Sequence, residues 1–505
     1  MFDHASDTAP LERIASAAAD ARYAIEFVRR TDLRNLDGFA RTLAILSRPS
    51  AADYWYARRY TLRELPLAAV RFALDAERMN EFQQYSPEAG YTSTPADGLL
   101  AGFTRRGRLS SLFAPHTGFT DQVPYLQTCD GRLGGSKPRE GGFFGLLTDD
   151  GVTWLWEPSF DHEMTHRSGT NVLQVRYRPS SDGTADAGVV VEEDAYVLPG
   201  TETLVRDVTV VNRGERAVRG LVYYMQANAN DEIQYPIGAT SRNRASAGAE
   251  LRWADEESDR CLRVFPARAP VRDAGVADVP LADALGAGAD AATGRYVGGY
   301  LRLDVDVPPG ERASATVYTT CRRDVTAGSG PLAWGRSERL SLVRAWWDDY
   351  LADVDTSSVP ARHADQYRRS VVGVAMLADP ASGSISAAPN SQPAYYLSWP
   401  RDGAFAAVAL AEAGIAEVAT DFLAGFCPRV QEPDGSFEQC YASTGESAGV
   451  IPVENDGPAI YLHAVRRVYE STGDEGFLRA AWPAVERAAA YLADAVVDNG
   501  LLAAT

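Results

Sequence analysis

Hydrophobic and polar positions follow three different spacings along the chain. Residues 1–95 repeat apolar side chains with the period of amphipathic helices, and residues 96–330 form short β-rich runs separated by Gly, Pro, Asp and Asn. The helical period returns in one amphipathic helix within 331–358 and continues through paired helices over 359–505. The pattern predicts a multidomain α+β fold: a helical segment, an antiparallel β-sandwich, a linker helix and the first part of an α/α barrel.

Individual elements follow from the same spacing. Residues 203–214 alternate in the manner of a strand with one buried face, whereas residues 271–293 are rich in Ala, Asp and Gly and predict a long loop. Helices are expected near 362–378, 402–413, 415–427, 457–471 and 475–496. No apolar stretch reaches the ~18 residues that a transmembrane helix requires.

The charge balance narrows the classes of partner. The formal net charge is −19, with 68 acidic residues, and Lys137 is the only lysine. Such an anionic surface argues against nucleic acid and the membrane surface as partners. A GC-rich genome would explain the replacement of Lys by Arg, and the excess of carboxylates favours a salt-adapted, halophilic protein. The N-terminal sequence has no signal-peptide pattern, and the five cysteines include no C-x-x-C pair. We therefore expect a cytoplasmic protein with reduced thiols.

The densest group of chemistry-bearing residues precedes a predicted helix. Tyr395, Trp399, Arg401 and Asp402 stand at this loop-to-helix junction, where Pro400 keeps Trp399 extended and Asp402 occupies an N-cap position. An aromatic face packs on a pyranose ring, and a planar guanidinium and a carboxylate make fixed contacts with vicinal hydroxyls. The junction therefore indicates a sugar site, and the alternative is a capped helix with a core tryptophan and a salt-bridged arginine.

Two polar loops further along the chain also lead into predicted helices. Residues 431–441 contain Pro-Asp-Gly at 433–435, and residues 452–460 contain Glu454 and Asp456. Asp456 is followed by Gly and Pro, which is a typical start of a helix. Each loop taken singly is explained as a turn followed by a helix cap.

Taken together, the three segments resemble the glucoamylase family, glycoside hydrolase family 15. The family pattern Tyr-x-x-x-Trp-x-Arg-Asp is met by Tyr395, Trp399, Arg401 and Asp402. The family segments Pro-Asp-Gly and Pro-x-x-x-Asp-Gly-Pro-Ala are similar to the two polar loops. The resemblance covers roughly 96–505 and implies a β-sandwich and a linker helix ahead of an (α/α)6 barrel.

The resemblance also implies a function: release of glucose from the non-reducing ends of α-linked gluco-oligosaccharides, with inversion. The substrate-binding candidates that it implies are Tyr395, Trp399, Arg401, Asp402, Glu454 and Asp456. Family members use the arginine and aspartate of the first motif to hold hydroxyls of the innermost glucose. The aromatic residues pack on or beside that glucose, and the last two carboxylates line the site. The reaction requires no metal or organic cofactor, although some relatives carry a structural calcium.

The resemblance leaves both catalytic roles unassigned within the sequence. Inverting hydrolysis needs one carboxyl group as general acid and a second as general base. By the family pattern both are expected beyond Thr505, together with further barrel helices on this chain or on a separate polypeptide. The alternative is a catalytically inactive remnant or a sugar-binding subunit, which keeps the hydroxyl-holding motif without the two catalytic carboxylates.

A second motif indicates different chemistry. His162 and His166 satisfy H-E-x-x-H, the pattern of zinc peptidases, which requires both histidines on one helical face. Here the surrounding residues read as β-strands, with Pro158 shortly before the pattern. We therefore expect these histidines to lie on a strand of the sandwich, and zinc catalysis is a third, separate hypothesis.

Overall fold

The computed structural model describes residues 88–118, 120–123, 141–180, 188–231, 241–267, 269–277, 288–294, 297–389, 396–448 and 455–496. All of these residues belong to one compact unit. The predicted helical segment lies outside the described residues, apart from its last eight positions. Within the described residues no helix combines the length and the apolar character needed to cross a membrane.

Seventeen strands within this part of the chain build two sheets. They are β1 Glu88–Thr92, β2 Leu100–Thr104, β3 Leu109–Phe113, β4 Gly142–Thr148, β5 Gly151–Trp154, β6 Phe160–His166, β7 Leu173–Pro179, β8 Val189–Leu198, β9 Thr203–Asn212, β10 Gly220–Ala227, β11 Asn243–Ala247, β12 Leu251–Asp255, β13 Cys261–Pro266, β14 Val271–Ala277, β15 Ala291–Gly294, β16 Val297–Leu303 and β17 Arg312–Thr320. The first sheet runs β1-β2-β3-β4-β10-β16-β14 with β5 on β4, and the second runs β15-β11-β12-β13-β17-β9-β8-β7-β6. Every pairing between these strands is antiparallel, as the sequence pattern predicts.

Two predicted boundaries differ from the structure. Strand β1 lies before the boundary at residue 96, because its backbone pairs with β2. The predicted loop over 271–293 is wrong at both ends, where β14 and β15 form. These short segments carry few β-branched residues, and their neighbours β16 and β11 supply the backbone hydrogen bonds that make them strands.

The helices follow the sandwich in chain order. They are α1 Arg336–Tyr350, α2 Ala364–Ala375, α3 Pro400–Glu412, α4 Ala416–Thr420, a π-helical turn Asp421–Phe426, α5 Cys427–Val430, α6 Asp456–Thr472 and α7 Glu475–Asp494. Each helix predicted after residue 330 therefore exists, with ends shifted by a few residues. The segment predicted as one helix over 415–427 is divided by the π-helical turn.

Strand β9 is buried on both of its faces, contrary to the expectation of one buried face. Leu204 and Val208 point into the core between the sheets. Val205 lies on the opposite face and belongs to a second cluster with Val343 and Trp347 of α1. The linker helix therefore covers the outer face of the second sheet, and this face carries apolar residues for that reason.

The histidines of the H-E-x-x-H pattern lie on strand β6, as predicted from their context. His162 donates from Nε2 to the carbonyl oxygen of Leu155 at 2.7 Å, and His166 donates from Nε2 to the carbonyl oxygen of Tyr91 at 3.0 Å. Four residues of extended strand span about 13 Å, so the two imidazoles cannot ligate one metal ion in the way a helix allows.

Protonation of His166 is expected to destabilise the fold. Burial and the nearby Arg369 guanidinium lower the pKa of His166 to about 4, whereas the hydrogen bond to Tyr91 raises it. Because the ordinary pKa is 6.5, the unfolded chain binds this proton first. Keeping His166 neutral in the folded protein contributes about 2–3 kcal/mol to the free energy of unfolding. This contribution is fully present above pH 6.5 and is lost as the pH falls through 4.

Urea unfolding of wild type and His166→Gln between pH 7 and pH 4 measures this effect. We expect the variant to lose less stability than wild type over that interval, because glutamine does not titrate. Parallel stability curves for the two proteins would show that His166 does not contribute to the acid sensitivity.

Candidate functional site

Two helices start side by side and run in the same direction. At their N-terminal ends Arg401 of α3 donates from Nη1 to Asp456 Oδ2 of α6 at 2.9 Å. At the far ends Arg467 of α6 pairs with Glu412 of α3. The intervening segment α4–α5 returns the chain to the starting end, where the loops of the predicted site lie. The three sequence motifs are therefore gathered at one end of a parallel helix pair.

The first motif sits directly on the start of α3. Trp399 is the N-cap residue with extended backbone angles (φ −94°, ψ 127°), and Pro400 is the first helical residue. This confirms that Pro400 holds Trp399 extended. The assignment of Asp402 to the N-cap is wrong, because the helix begins at Pro400 and Asp402 lies in its first turn. A carboxylate there is favoured by the helix dipole.

Arg401 lies between two carboxylates. Its Nε is 3.3 Å from Asp402 Oδ2, and its Nη1 is 2.9 Å from Asp456 Oδ2. The side chains of Arg401, Asp402 and Asp456 are 40 %, 43 % and 46 % exposed, so a ligand can reach all three. A fixed guanidinium edge with an acceptor on either side has the geometry that vicinal hydroxyl groups require.

The backbone next to Trp399 is held by Tyr441, the last residue of the second motif (431–441). Ser398 and Tyr441 exchange two backbone hydrogen bonds of 2.8 and 2.9 Å. Trp399 is half-buried against a small apolar cluster that includes Leu397 and Cys440. The indole is only partly buried, and Trp399 stands two positions before Arg401 in the chain.

The Pro-Asp-Gly segment is a tight turn. Asp434 Oδ1 accepts hydrogen bonds from Ser436 Oγ at 2.7 Å and from Ser436 N at 2.9 Å, and these bonds hold the pKa of Asp434 below its usual value. Gly435 has φ +95°, and a Cβ there would lie 2.1 Å from the carbonyl oxygen of Arg487 on α7. The turn interpretation therefore accounts for this segment, whose glycine is required by close packing on α7.

The sandwich supports the loop that leads into Trp399. The rings of Phe113 and Tyr396 stack with centroids 4.9 Å apart. The buried carboxylate of Asp379 accepts from Thr117 N at 3.0 Å and pairs with His116 Nδ1 at 3.2 Å, which raises the pKa of His116. The sequence motifs do not identify these supporting residues, since their partners lie more than 260 positions away in the chain.

Four of the predicted site residues meet in the structure. Trp399, Arg401 and Asp402 lie on one helix start, and Asp456 joins them from the other. Tyr395 and Glu454 lie outside the described residues, so their predicted roles stay predictions. Among the described residues no group of three or more His, Cys, Asp or Glu side chains is arranged to hold a metal ion.

Comparisons with known proteins agree with the motifs. Residues 361–496 match the family model described as glycosyl hydrolases family 15. An uncharacterized glycosyl hydrolase of Methanocaldococcus jannaschii is 34 % identical over 125 residues, which are 25 % of this chain. That match takes in 20 % of the archaeal protein, so the chain spans about a fifth of its relative. The resemblance to family 15 that the sequence indicates is therefore confirmed.

The fold likeness extends beyond the matched helices. A bacterial glucoamylase, solved as a complex with acarbose, has a TM-score of 0.57 and 12 % sequence identity to this chain. The alignment covers 81 % of this chain and 67 % of the glucoamylase. A coverage this large requires that the sandwich and the helices are shared together.

Proposed function

We propose that this family 15-like protein is a glycoside hydrolase of the glucoamylase type. It releases glucose from the non-reducing ends of α-linked gluco-oligosaccharides by single displacement, with inversion at the anomeric carbon. The observation that carries the proposal is Arg401, which lies between Asp402 and Asp456, with all three side chains partly exposed at a helix start whose N-cap is Trp399. This grouping is open to solvent and offers donors and acceptors together at the start of two helices.

Each side chain has a distinct part in holding the terminal glucose. The Arg401 guanidinium donates to a ring hydroxyl, while Asp402 and Asp456 accept from neighbouring hydroxyls. Trp399 covers the apolar face of the ring. Asp402 and Asp456, which both contact Arg401, are assigned to hydroxyl binding in this proposal and to neither catalytic role. The general acid and general base are two other carboxyl groups.

Calorimetric titration with acarbose tests the binding part of the proposal. We expect wild type to bind, and Arg401→Ala to bind about tenfold to one-hundredfold more weakly, because charge-assisted hydrogen bonds to the sugar are lost. Arg467→Ala is the matched control, since Arg467 joins the same two helices at their far ends. The proposal fails if wild type does not bind, or if the two variants lose affinity equally.

Glucose release from maltose separates hydrolysis from binding alone. In a protein that also holds the two catalytic carboxyl groups, we expect release of glucose and a marked decrease in Arg401→Ala, with β-glucose as the first product because the reaction inverts. Tight acarbose binding without any release of glucose would instead favour the sugar-binding subunit. The two measurements together therefore decide between the two functions.

A further inference from the structure

The turn Asp421–Phe426 contacts both α3 and α6, the helices that carry Arg401 and Asp456. Its Phe422 ring, fully buried, lies against Gly403, the residue that follows Asp402 on α3. A Cβ at Gly403 would come within 2.2 Å of Phe422 Cζ. Only glycine allows the helix to approach the ring this closely, so this contact sets the distance of α3 from the turn.

The second contact reaches α6. The buried Tyr461 hydroxyl donates to the carbonyl oxygen of Leu423 at 3.0 Å. In the π-helical pattern Cys427 N–H bonds to Phe422 O, so the next donor in the series would be residue 428. Residue 428 is proline, which has no N–H. The Leu423 carbonyl therefore takes its hydrogen bond from Tyr461, five positions after Asp456.

We propose that this π-helical turn is a positioning element that spaces α3 and α6 so that Arg401 and Asp456 meet. Phe422 sets the distance between α3 and the turn, and the hydrogen bond from Tyr461 to the Leu423 carbonyl holds α6 against the same turn. The stacking of Phe422 on Phe426, with centroids 5.6 Å apart and an interplanar angle of 16°, restrains the ring. The value of this spacing for sugar recognition rests on the proposed function, whereas the spacing itself does not.

Adding a methyl group at Gly403 tests the inference. Alanine favours helix formation over glycine, so Gly403→Ala would leave α3 intact while its Cβ pushes the helix away from Phe422. We expect acarbose affinity to fall at least tenfold. Gly425→Ala is the matched control in the same turn, because a Cβ there meets nothing within 4 Å. We expect it to bind as wild type does.

A compensating substitution distinguishes spacing from general damage. Leucine lacks the three ring atoms that the new Cβ would meet, so Gly403→Ala with Phe422→Leu is expected to recover affinity to within about threefold of wild type. Tyr461→Phe removes the second contact and provides an independent variant if Gly403→Ala does not fold. We expect severalfold weaker binding and a slightly lower midpoint of thermal unfolding, because the buried Leu423 carbonyl loses its hydrogen bond. Wild-type affinity in both Gly403→Ala and Tyr461→Phe would overturn the inference, as would a loss that Phe422→Leu does not repair.

If wild type does not bind acarbose, the proposed function fails, but the inference about spacing can still be tested. Crystal structures of the variants provide that test. We expect the distance from Arg401 Nη1 to Asp456 Oδ2 to exceed 2.9 Å in Gly403→Ala or, failing that variant, in Tyr461→Phe, and to return in the compensated double variant. An unchanged distance would show that the π-helical turn does not determine the spacing between Arg401 and Asp456.

Discussion

Replacing Glu193 with glutamine is expected to lower the free energy of unfolding by about 3–5 kcal/mol. Glu193 and Arg206 are fully buried between the two sheets, and Arg206 Nε lies 2.5 Å from Glu193 Oε1. The guanidinium also donates to the carbonyl oxygens of Gly142 and Gly107, both at 3.1 Å. The amide would leave the arginine charge in the core without a counter-ion, which costs more than the lost hydrogen bond. Urea unfolding at neutral pH measures the difference.

An exposed neighbour provides the control for this substitution. Glu192 precedes Glu193 on strand β8 and pairs with Arg176, and both of those side chains are about half exposed. Glu192→Gln is therefore expected to change the free energy of unfolding by less than about 1 kcal/mol. Converting both buried partners, with Glu193→Leu and Arg206→Met, should recover part of the loss. No unpaired charge then remains, although the Tyr177 hydroxyl and the carbonyls of Gly142 and Gly107 each lose a hydrogen bond. A single Glu193→Gln variant as stable as Glu192→Gln would contradict the expected effect.

Local pattern predicts much of this fold. The β-rich runs of the middle region become strands because alternating β-branched and aromatic residues suit a pleated, half-buried surface. The exceptions have a common cause in tertiary contacts. Strand β9 alternates in sequence, yet α1 covers its outer face, and β14 is a strand mainly through its pairing with β16. Neither partner is visible in the local sequence.

The site shows the same division between local and distant information. The helix starts at Pro400 and Asp456 are encoded locally, and so are the residue types that surround them. The hydrogen bond between Arg401 and Asp456, however, joins residues that are 55 positions apart in the chain. The π-helical turn depends on Pro428 together with Tyr461 from another helix, so the local sequence predicts an ordinary helix there. Residue chemistry thus indicates the site, and the packing of distant elements determines its geometry.

Replacing Arg339 with methionine is expected to weaken the attachment of α1 to the second sheet by about 3–5 kcal/mol. Arg339 Nη2 lies 2.5 Å from the buried carboxylate of Asp207 on β9, and its Nη1 donates to the carbonyl oxygen of Trp334. Tyr196 and Thr316 donate to the same carboxylate. These hydroxyls cannot replace the positive charge, so methionine would leave the buried Asp207 carboxylate without a counter-ion.

A second arginine on α1 provides the control for the unfolding experiment on Arg339→Met. Arg344 is more than half exposed and pairs with Asp348 one turn away, so Arg344→Met should cost less than about 1 kcal/mol. Adding Asp207→Asn to Arg339→Met removes the unpaired charge and should return part of the stability, since the amide still accepts from Tyr196. If the double variant is no more stable than Arg339→Met, the loss comes from packing of the arginine side chain against the second sheet rather than from an uncompensated charge.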